Sequence, residues 1–405
     1  MDDLAPPSIG RQVATIRKLR GLTQSGLAAR LHRSESWVTK VERGERRVDS
    51  VSVLAELARA LAVPIYELTG YFTAPPNDTI RDCPAGLPEL RRLLSLPIVV
   101  QPGEPAPVPI TELERKVAAL VRLYDTATHH VSAVLPRLPG PLQAAQVAVR
   151  TTATADRPRA YAALANLYWL AANVLAHSGD LPRAQLASDR ALTAAEQSDD
   201  PLRIGAIAAF HTVRLATGGD SAEAVAVAVE IADLVARHHQ AETPAGTVVL
   251  GALYGYGAIA AARHGDRSET LRLLKAAGEA AERLGCERKA YVAHFGPHNL
   301  ASKELAAMAF LNRPDRAIEA AERVDLHRLG SKMRIGHHCT HLASAHVRRG
   351  DDDRALATLL AGLEAAPQVV RYHTTARGLV HDLLHRCRQV DERLRRLARE
   401  MNLPR

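Results

Sequence analysis

Ten basic side chains crowd into residues 8–47: Arg11, Arg17, Lys18, Arg20, Arg30, Arg33, Lys40, Arg43, Arg46 and Arg47, against only Glu35, Glu42 and Glu45. That stretch holds +7 of the net +8 of the 405-residue chain, so the remainder is close to neutral. A cationic patch this concentrated is the footprint of binding to a phosphate backbone. Two other stretches carry side chains able to do chemistry. IGHHCTH, residues 335–341, sets His337 and His341 one helical turn apart, a spacing that can hold a metal. It lacks the glutamate of an HExxH site, and Cys339 would point elsewhere on a helix, so a histidine-lined groove is the better reading. HFGPHNLASKE, residues 294–304, packs a Phe, two His, a Gly-Pro pair and an Asn into its first six positions. Pro297 suits the first position of a helix and Gly296 permits a bend before it, so the stretch reads as a helix start that presents Asn299. The amide of Asn299 can donate and accept at once, as gripping a peptide backbone requires; the alternative is that Phe295 simply packs in the core.

The elements that must position these groups are helical. GRQVATIRKLR carries apolar residues at Val13, Ile16 and Leu19, TQSGLAARL follows with Thr23 as its cap, and SESWVTKVE begins with Ser34 as its cap. Asp49 or Ser50 can cap SVSVLAELARAL, and Pro64 opens a last turn, PIYEL, which makes five short helices over residues 9–70. Nine prolines in residues 71–110 exclude long helices there except LPELRRLLSL, so this stretch reads as a linker with one docking helix. From 111 to 400 the chain is a succession of Ala-rich amphipathic helices. Turns recur at Gly179-Asp180, Gly219-Asp220, Gly265-Asp266, Asn312-Arg313 and Gly350-Asp351, a spacing that suits helix pairs. Ala184, Ala224, Ala317 and Ala355 follow four of these turns at one offset, and Ala172, Ala258 and Ala343 precede three of them; small residues at both places let paired helices cross closely.

Cys83, Cys286, Cys339 and Cys387 form no CxxC pair, so neither a disulfide framework nor a zinc knuckle is expected. The acidic opening MDDLAPPS lacks the apolar core of a secretory signal, and a cytoplasmic location is expected. The uncharged run from Thr243 to Ala262 reaches membrane-span length. Its Pro244, glycines and alanines make a buried helix the expectation, with no membrane partner. No P-loop, Ser-His-Asp arrangement or Gly-rich dinucleotide turn is present, so no enzyme activity, resident metal or cofactor is expected.

GLTQSGLAARLHRSESWVTKVERGERR resembles the xenobiotic-response-element (XRE) family of phage-repressor-like helix-turn-helix proteins, with its LTQ, LA, V-x-x-x-E and RG elements in register over residues 9–68. The resemblance implies a five-helix lambda-repressor-like domain that reads the major groove of double-stranded DNA with the helix after Ser34. Outward residues of that helix are Glu35, Ser36, Thr39 and Lys40, the expected base-reading set. Lys40 can donate to guanine and Glu35 can accept from cytosine. Gln24 matches the family's phosphate-contacting glutamine, and Arg33, Arg43, Arg46 and Arg47 are expected backbone clamps. Arg17 and Glu42 match a buried ion pair of this fold, an assignment to structure. His32 stands where the family usually has Gly, at a turn whose left-handed conformation His tolerates. Trp37 is expected to pack on its own domain.

The later helices resemble tetratricopeptide repeats, with Tyr168 and Tyr254 at the aromatic position and Pro367 at the terminal proline. Leu305 and Thr270 depart from the small-residue rule. The resemblance implies an α-solenoid and, by its register, a concave groove lined by Asn166, Trp169, Asn173 and His177, with Asn299, Ser302, Phe310, His337, Thr340, Ser344 and Arg348 from the last units. The whole chain is similar to XRE regulators with tetratricopeptide-like C-terminal regions from high-GC Gram-positive bacteria, and to peptide-pheromone receptors of the quorum-sensing kind. The expectation is an all-α transcription regulator, homodimeric on a pseudo-palindromic operator, whose solenoid senses a signalling peptide or a small molecule. A scaffold that uses the helix-turn-helix for protein contacts is the alternative.

Overall fold

The computed structural model describes residues 9–46, 48, 51–61, 63, 68, 85–97, 106–386, 392–401 and 403. Four helices open the chain: α1 (Ile9–Leu19), α2 (Gln24–Arg30), α3 (Glu35–Glu42) and α4 (Val51–Leu61). Their starts follow local chemistry. Thr23 Oγ1 accepts from Gly26 N at 3.0 Å, Ser34 Oγ accepts from Trp37 N at 3.2 Å, and each thereby satisfies an orphan amide of the first turn. Between α2 and α3, His32 takes φ 52°, the left-handed conformation expected at that turn. Val13, Ile16, Leu27, Leu31, Val38, Val41, Leu57 and Leu61 close a small apolar core. Gly10 lets α1 pass so near α3 that a Cβ there would lie 2.0 Å from the Val41 carbonyl oxygen. Of the expected fifth helix at PIYEL, residues 64–67 lie outside the described residues, as do Asp49 and Ser50, while Leu68 is buried in the domain core.

Helix α5 (Leu87–Ser95), the one helix among the described residues of the proline-rich segment, buries Leu87, Leu90, Leu93 and Leu94 in the core of the helical body, and Arg91 Nε donates to Asp180 Oδ2 at 2.8 Å. The body continues through α6 (Ile110–Thr126), α7 (His130–Val134) and α8 (Pro139–Thr151). Antiparallel pairs follow: α9 (Arg157–Ala176) with α10 (Leu181–Glu196), α11 (Pro201–Gly218) with α12 (Ser221–Ala236), and α13 (Pro244–His264) with α14 (Arg267–Leu284). The alanines picked out from the turns, Ala172, Ala184, Ala224, Ala258, Ala317, Ala343 and Ala355, are all buried. Glycines at 179, 219, 265 and 350 turn the chain with φ between 81° and 112°, a conformation that a side chain resists. Helix α13 is long and apolar enough to cross a membrane, yet it is mostly buried at the centre of the body.

After α14 the solenoid pattern is interrupted. A two-stranded antiparallel hairpin, β1 (Arg288–Ala290) and β2 (Ala293–Phe295), pairs Arg288 with Phe295 and Ala290 with Ala293. Sequence reading anticipated no strand here, because two three-residue strands carry too little alternation to register. Phe295 is fully buried on α13 at Gly251, where a Cβ would lie 2.2 Å from its ring. Helix α15 (Pro297–Phe310) then starts at Pro297 and pairs with α16 (Pro314–Glu322); α17 (Lys332–Arg349) pairs with α18 (Asp352–Ala365). Helices α19 (Pro367–Tyr372), α20 (Thr374–Arg386) and α21 (Glu392–Glu400) end the described chain.

Candidate functional site

Two regions of the structure gather chemistry. In the first, the N-terminal domain, an internal network sets the angle of α3. Arg17 Nε and Nη2 donate to the two oxygens of Glu42 at 2.5 and 2.9 Å, while Arg17 Nη1 donates to Leu22 O at 2.7 Å. Burial works to raise the Glu42 carboxyl, but the hydrogen bonds from Arg17 and Gln24 outweigh it and hold the group below its ordinary value. Gln24 Nε2 donates to Glu42 Oε2 at 2.8 Å, and Gln24 Oε1 accepts from Thr39 Oγ1 at 3.1 Å. The Gln24 amide therefore bridges α2 to α3 at both its ends, and Thr39 is turned partly inward to meet it.

Glu35, Ser36 and Lys40 stand exposed on α3, with Arg33, Arg43 and Arg46 exposed around it. Arg33 lies within 3.5 Å of Glu56, and Arg43 within 3.9 Å of Glu45. Trp37 is half-buried on the domain core, with the Arg33 and Arg46 guanidinium carbons 5.5 and 5.9 Å from its ring centre. The indole thus holds two of the expected clamps beside the helix through its face. Arg47 lies outside the described residues.

The second region is a cavity of about 160 Å³ in the helical body. Asn173, His177, Asn299, Ser302, Phe310 and His337 from the expected groove all line it. The structure adds what the repeat register did not suggest: Arg214 from α11, Tyr256 and Arg263 from α13, Lys303 from α15, Arg334, His338 and His341 from α17, and His373 beside α20. No carboxylate lines it. The Lys303 stem enters because Gly255 has no Cβ, and its Nζ sits 4.0 Å from the Tyr256 ring centre. Burial lowers the Lys303 ammonium and the Arg214 guanidinium from their ordinary values. Arg263 donates through Nε to Ala216 O at 3.1 Å and lies 4.7 Å over the Phe310 ring. Arg334 is 7% exposed; its Nη1 reaches Ser331 Oγ at 3.1 Å, but its Nε is buried without a partner.

Histidine rings run along one wall. His130 Nε2 and His177 Nδ1 are 3.0 Å apart, and ring centres then step from His177 to His337 at 5.7 Å, to His373 at 5.1 Å and to His341 at 5.6 Å. Burial pushes His337 down to about 3 and His130 to about 4, and holds His177, His341 and His373 well below the ordinary range, with the neighbouring rings and arginines adding to it. These rings are neutral at pH 7.

Several expected groove residues are elsewhere. Trp169 is 3% exposed in an aromatic stack between Tyr124 and Phe210, at ring distances of 5.4 and 5.3 Å, because α9 is buried on nearly every side and no single face of it is concave. Asn166, one turn earlier, lines a separate cleft with Arg159, Lys289 and Tyr291. Arg348 is drawn to Asn312 Oδ1 at 3.2 Å beyond the cavity, and Thr340 and Ser344 are buried in the packing of α17. Asn299 lines the cavity, but its Nδ2 donates to Glu287 Oε2, and Glu287 Oε1 also accepts from the amides of residues 298 and 299. Glu287 thus caps α15 and occupies the donor that was expected to grip a peptide.

No curated protein matches the chain. Solved structures with some likeness include BtubC (BKLC) from P. vanneervenii, 16% identical over 62% of this chain and 90% of that one, with a TM-score of 0.38. PlcR of Bacillus thuringiensis, solved with the peptide PapR7 and DNA, is 16% identical over 69% of this chain and 95% of its own, with a TM-score of 0.27. ComR from S. thermophilus, solved with DNA and its signalling peptide ComS, is 14% identical over 88% and 99%, with a TM-score of 0.26. Scores this low carry no argument about the present chain. Residues 8–68 match the helix-turn-helix domain family HTH_31, and with the geometry of α2 and α3 this makes the N-terminal unit a helix-turn-helix domain.

Proposed function

We propose that the protein is a sequence-specific DNA-binding transcription regulator of the cytoplasm, homodimeric on a pseudo-palindromic operator, whose helical body senses a peptide or small-molecule signal. The observation that carries this reading is the exposed face of α3 on a helix-turn-helix domain: Glu35, Ser36 and Lys40 stand at the surface, ringed by arginines in the most basic stretch of the chain. A recognition helix docked along the major groove would bring Glu35, Ser36 and Lys40 to base edges, while Arg33, Arg43, Arg46 and Arg47 meet phosphates. Gln24 would reach a phosphate only by exchanging its bond to Thr39 or Glu42. Two copies are needed because one such domain makes too few contacts for specific binding.

The test is binding of the purified protein to a fluorescent fragment of its own upstream region across a salt series. A sequence-preferring complex that weakens steeply with salt is expected. Lys40→Ala should fold normally and lose preference at one base position, a discrimination of about 1–3 kcal/mol. Unchanged binding in that variant would move the function from base reading to protein contact.

A further inference from the structure

The cavity in the helical body holds an arrangement that folding alone does not call for. Arg214, Arg263, Lys303 and Arg334 converge on it from α11, α13, α15 and α17, and no acidic side chain lines it. Two carboxylates of the surrounding body are already committed. Glu287 caps α15 and holds Asn299, and Asp125 accepts from Lys289 Nζ at 2.6 Å and faces His294 at 3.4 Å. Lys303 is 6% exposed, and Arg334 is 7% exposed with an unpartnered Nε. Among the described residues no salt bridge joins Arg214, Lys303 or Arg334 to a carboxylate. Buried cations without counter-ions are costly, and protein interiors normally pair them.

We propose that this cavity binds a small organic anion, a phosphate ester or carboxylate with an aromatic or apolar portion, whose charge completes the cluster of Arg214, Arg263, Lys303 and Arg334. The apolar part has surfaces to meet in Phe210, Tyr256, Ile259 and Phe310. Size sets a bound: about 160 Å³ is room for roughly ten waters, hence for a ligand of about that many non-hydrogen atoms. An extended peptide advances about 3.3 Å per residue and would outrun such a space within a few residues. The wall of neutral histidines, His177, His337, His341 and His373, supplies further donors. An anion beside them favours their protonated forms, so binding takes up protons and tightens as pH falls.

This inference deepens the sensing half of the proposed function and rests on it only for its biological use. The test is thermal denaturation and calorimetric titration of the full chain with phenyl phosphate, with phthalate as a carboxylate probe and phenol as the uncharged control. Phenyl phosphate or phthalate should raise the melting temperature saturably where phenol does not. Arg214→Met should melt no lower than the wild type without ligand, since it removes an uncompensated cation, and should bind the anion about tenfold more weakly or worse. Lys40→Ala should respond as the wild type does. If neither anion stabilises the wild type more than phenol, or if Arg214→Met keeps the full response, the proposal falls. A response kept in Arg214→Met but reduced in Lys40→Ala would put the anion on the DNA-binding face and overturn it equally. DNA affinity is read separately: an anion that binds without altering operator binding leaves the site standing and removes the sensing reading, and operator binding without any anion response does the reverse.

Discussion

The Arg17–Glu42 pair ties the first helix of the helix-turn-helix domain to the third, and its two side chains are only 9% and 6% exposed. Substituting Arg17 with Met leaves the Glu42 carboxylate buried with Gln24 as its remaining side-chain donor, and deprives the Leu22 carbonyl of its partner. Breaking a buried pair from one side costs about 3–5 kcal/mol. In a unit of this size each kcal/mol moves the melting point by about 4–8 °C, so the N-terminal transition should fall by at least about 12 °C. The chain has two tryptophans, Trp37 in the N-terminal domain and Trp169 in the body, so fluorescence can follow each part separately. With Trp169 replaced by Phe, a change that strands no acceptor because the indole Nε1 has no partner, urea unfolding monitored at Trp37 reports on the domain alone. The double variant Arg17→Met with Glu42→Met replaces the pair by apolar groups of similar length and should recover most of the loss. A loss below about 1 kcal/mol in the single variant, or a double variant no more stable than the single, would refute the claim that this pair holds α3 in place.

Acid should weaken the helical body. His130 and His338 are 1% and 3% exposed and burial lowers both to about 4 from 6.5, so the unfolded chain binds more protons than the folded one between those values. Stability is therefore full above pH 6.5 and is lost as pH falls toward 4; at pH 5 each contributes a loss of about 2 kcal/mol, and urea unfolding followed at Trp169 that was equal at pH 7.5 and 5 would contradict this. Gly251→Ala puts a methyl 2.2 Å from the Phe295 ring and should cost about 1–3 kcal/mol; Phe295→Leu added to it should restore part of the loss, and a thermal melt of the three variants decides. His32→Gly relieves a left-handed φ of 52° and should raise the Trp37 transition by about 0.5–1 kcal/mol, whereas a fall would mean that the imidazole makes a contact of its own.

Much of the N-terminal domain was legible residue by residue. Thr23 and Ser34 announce helix starts, the spacing of Val38 and Val41 with Leu27 and Leu31 points to the core, and His32 marks the turn, because each of these signals acts within a few positions of chain. The Arg17–Glu42 pairing came from family resemblance, and the two side chains lie 2.5 Å apart. The helix pairs of the body were likewise legible in Gly-Asp turns and buried alanines.

The cavity was legible only in part, for a physical reason. Projecting a repeat register onto α9 assumes one concave face, but that helix is apolar all round and enclosed, so Asn166 and Trp169 fall outside the site that Asn173 and His177 enter. Arg214, Arg263 and Lys303 look in sequence like the ordinary charged positions of amphipathic helices. What distinguishes them, together with Arg334, is that four helices spread over more than a hundred residues turn them toward one space, Lys303 being admitted there by a missing Cβ at Gly255. The β-hairpin that brings Glu287 to Asn299 was invisible for a different cause: its partners are near in the chain, but three-residue strands carry too little alternation to register. Local propensity, capping and charge density determined an all-helical chain with a basic helix-turn-helix domain at its N-terminus. Which cations lost their solvent and which histidines became neighbours was decided by tertiary packing, since burial and convergence are properties of several segments at once.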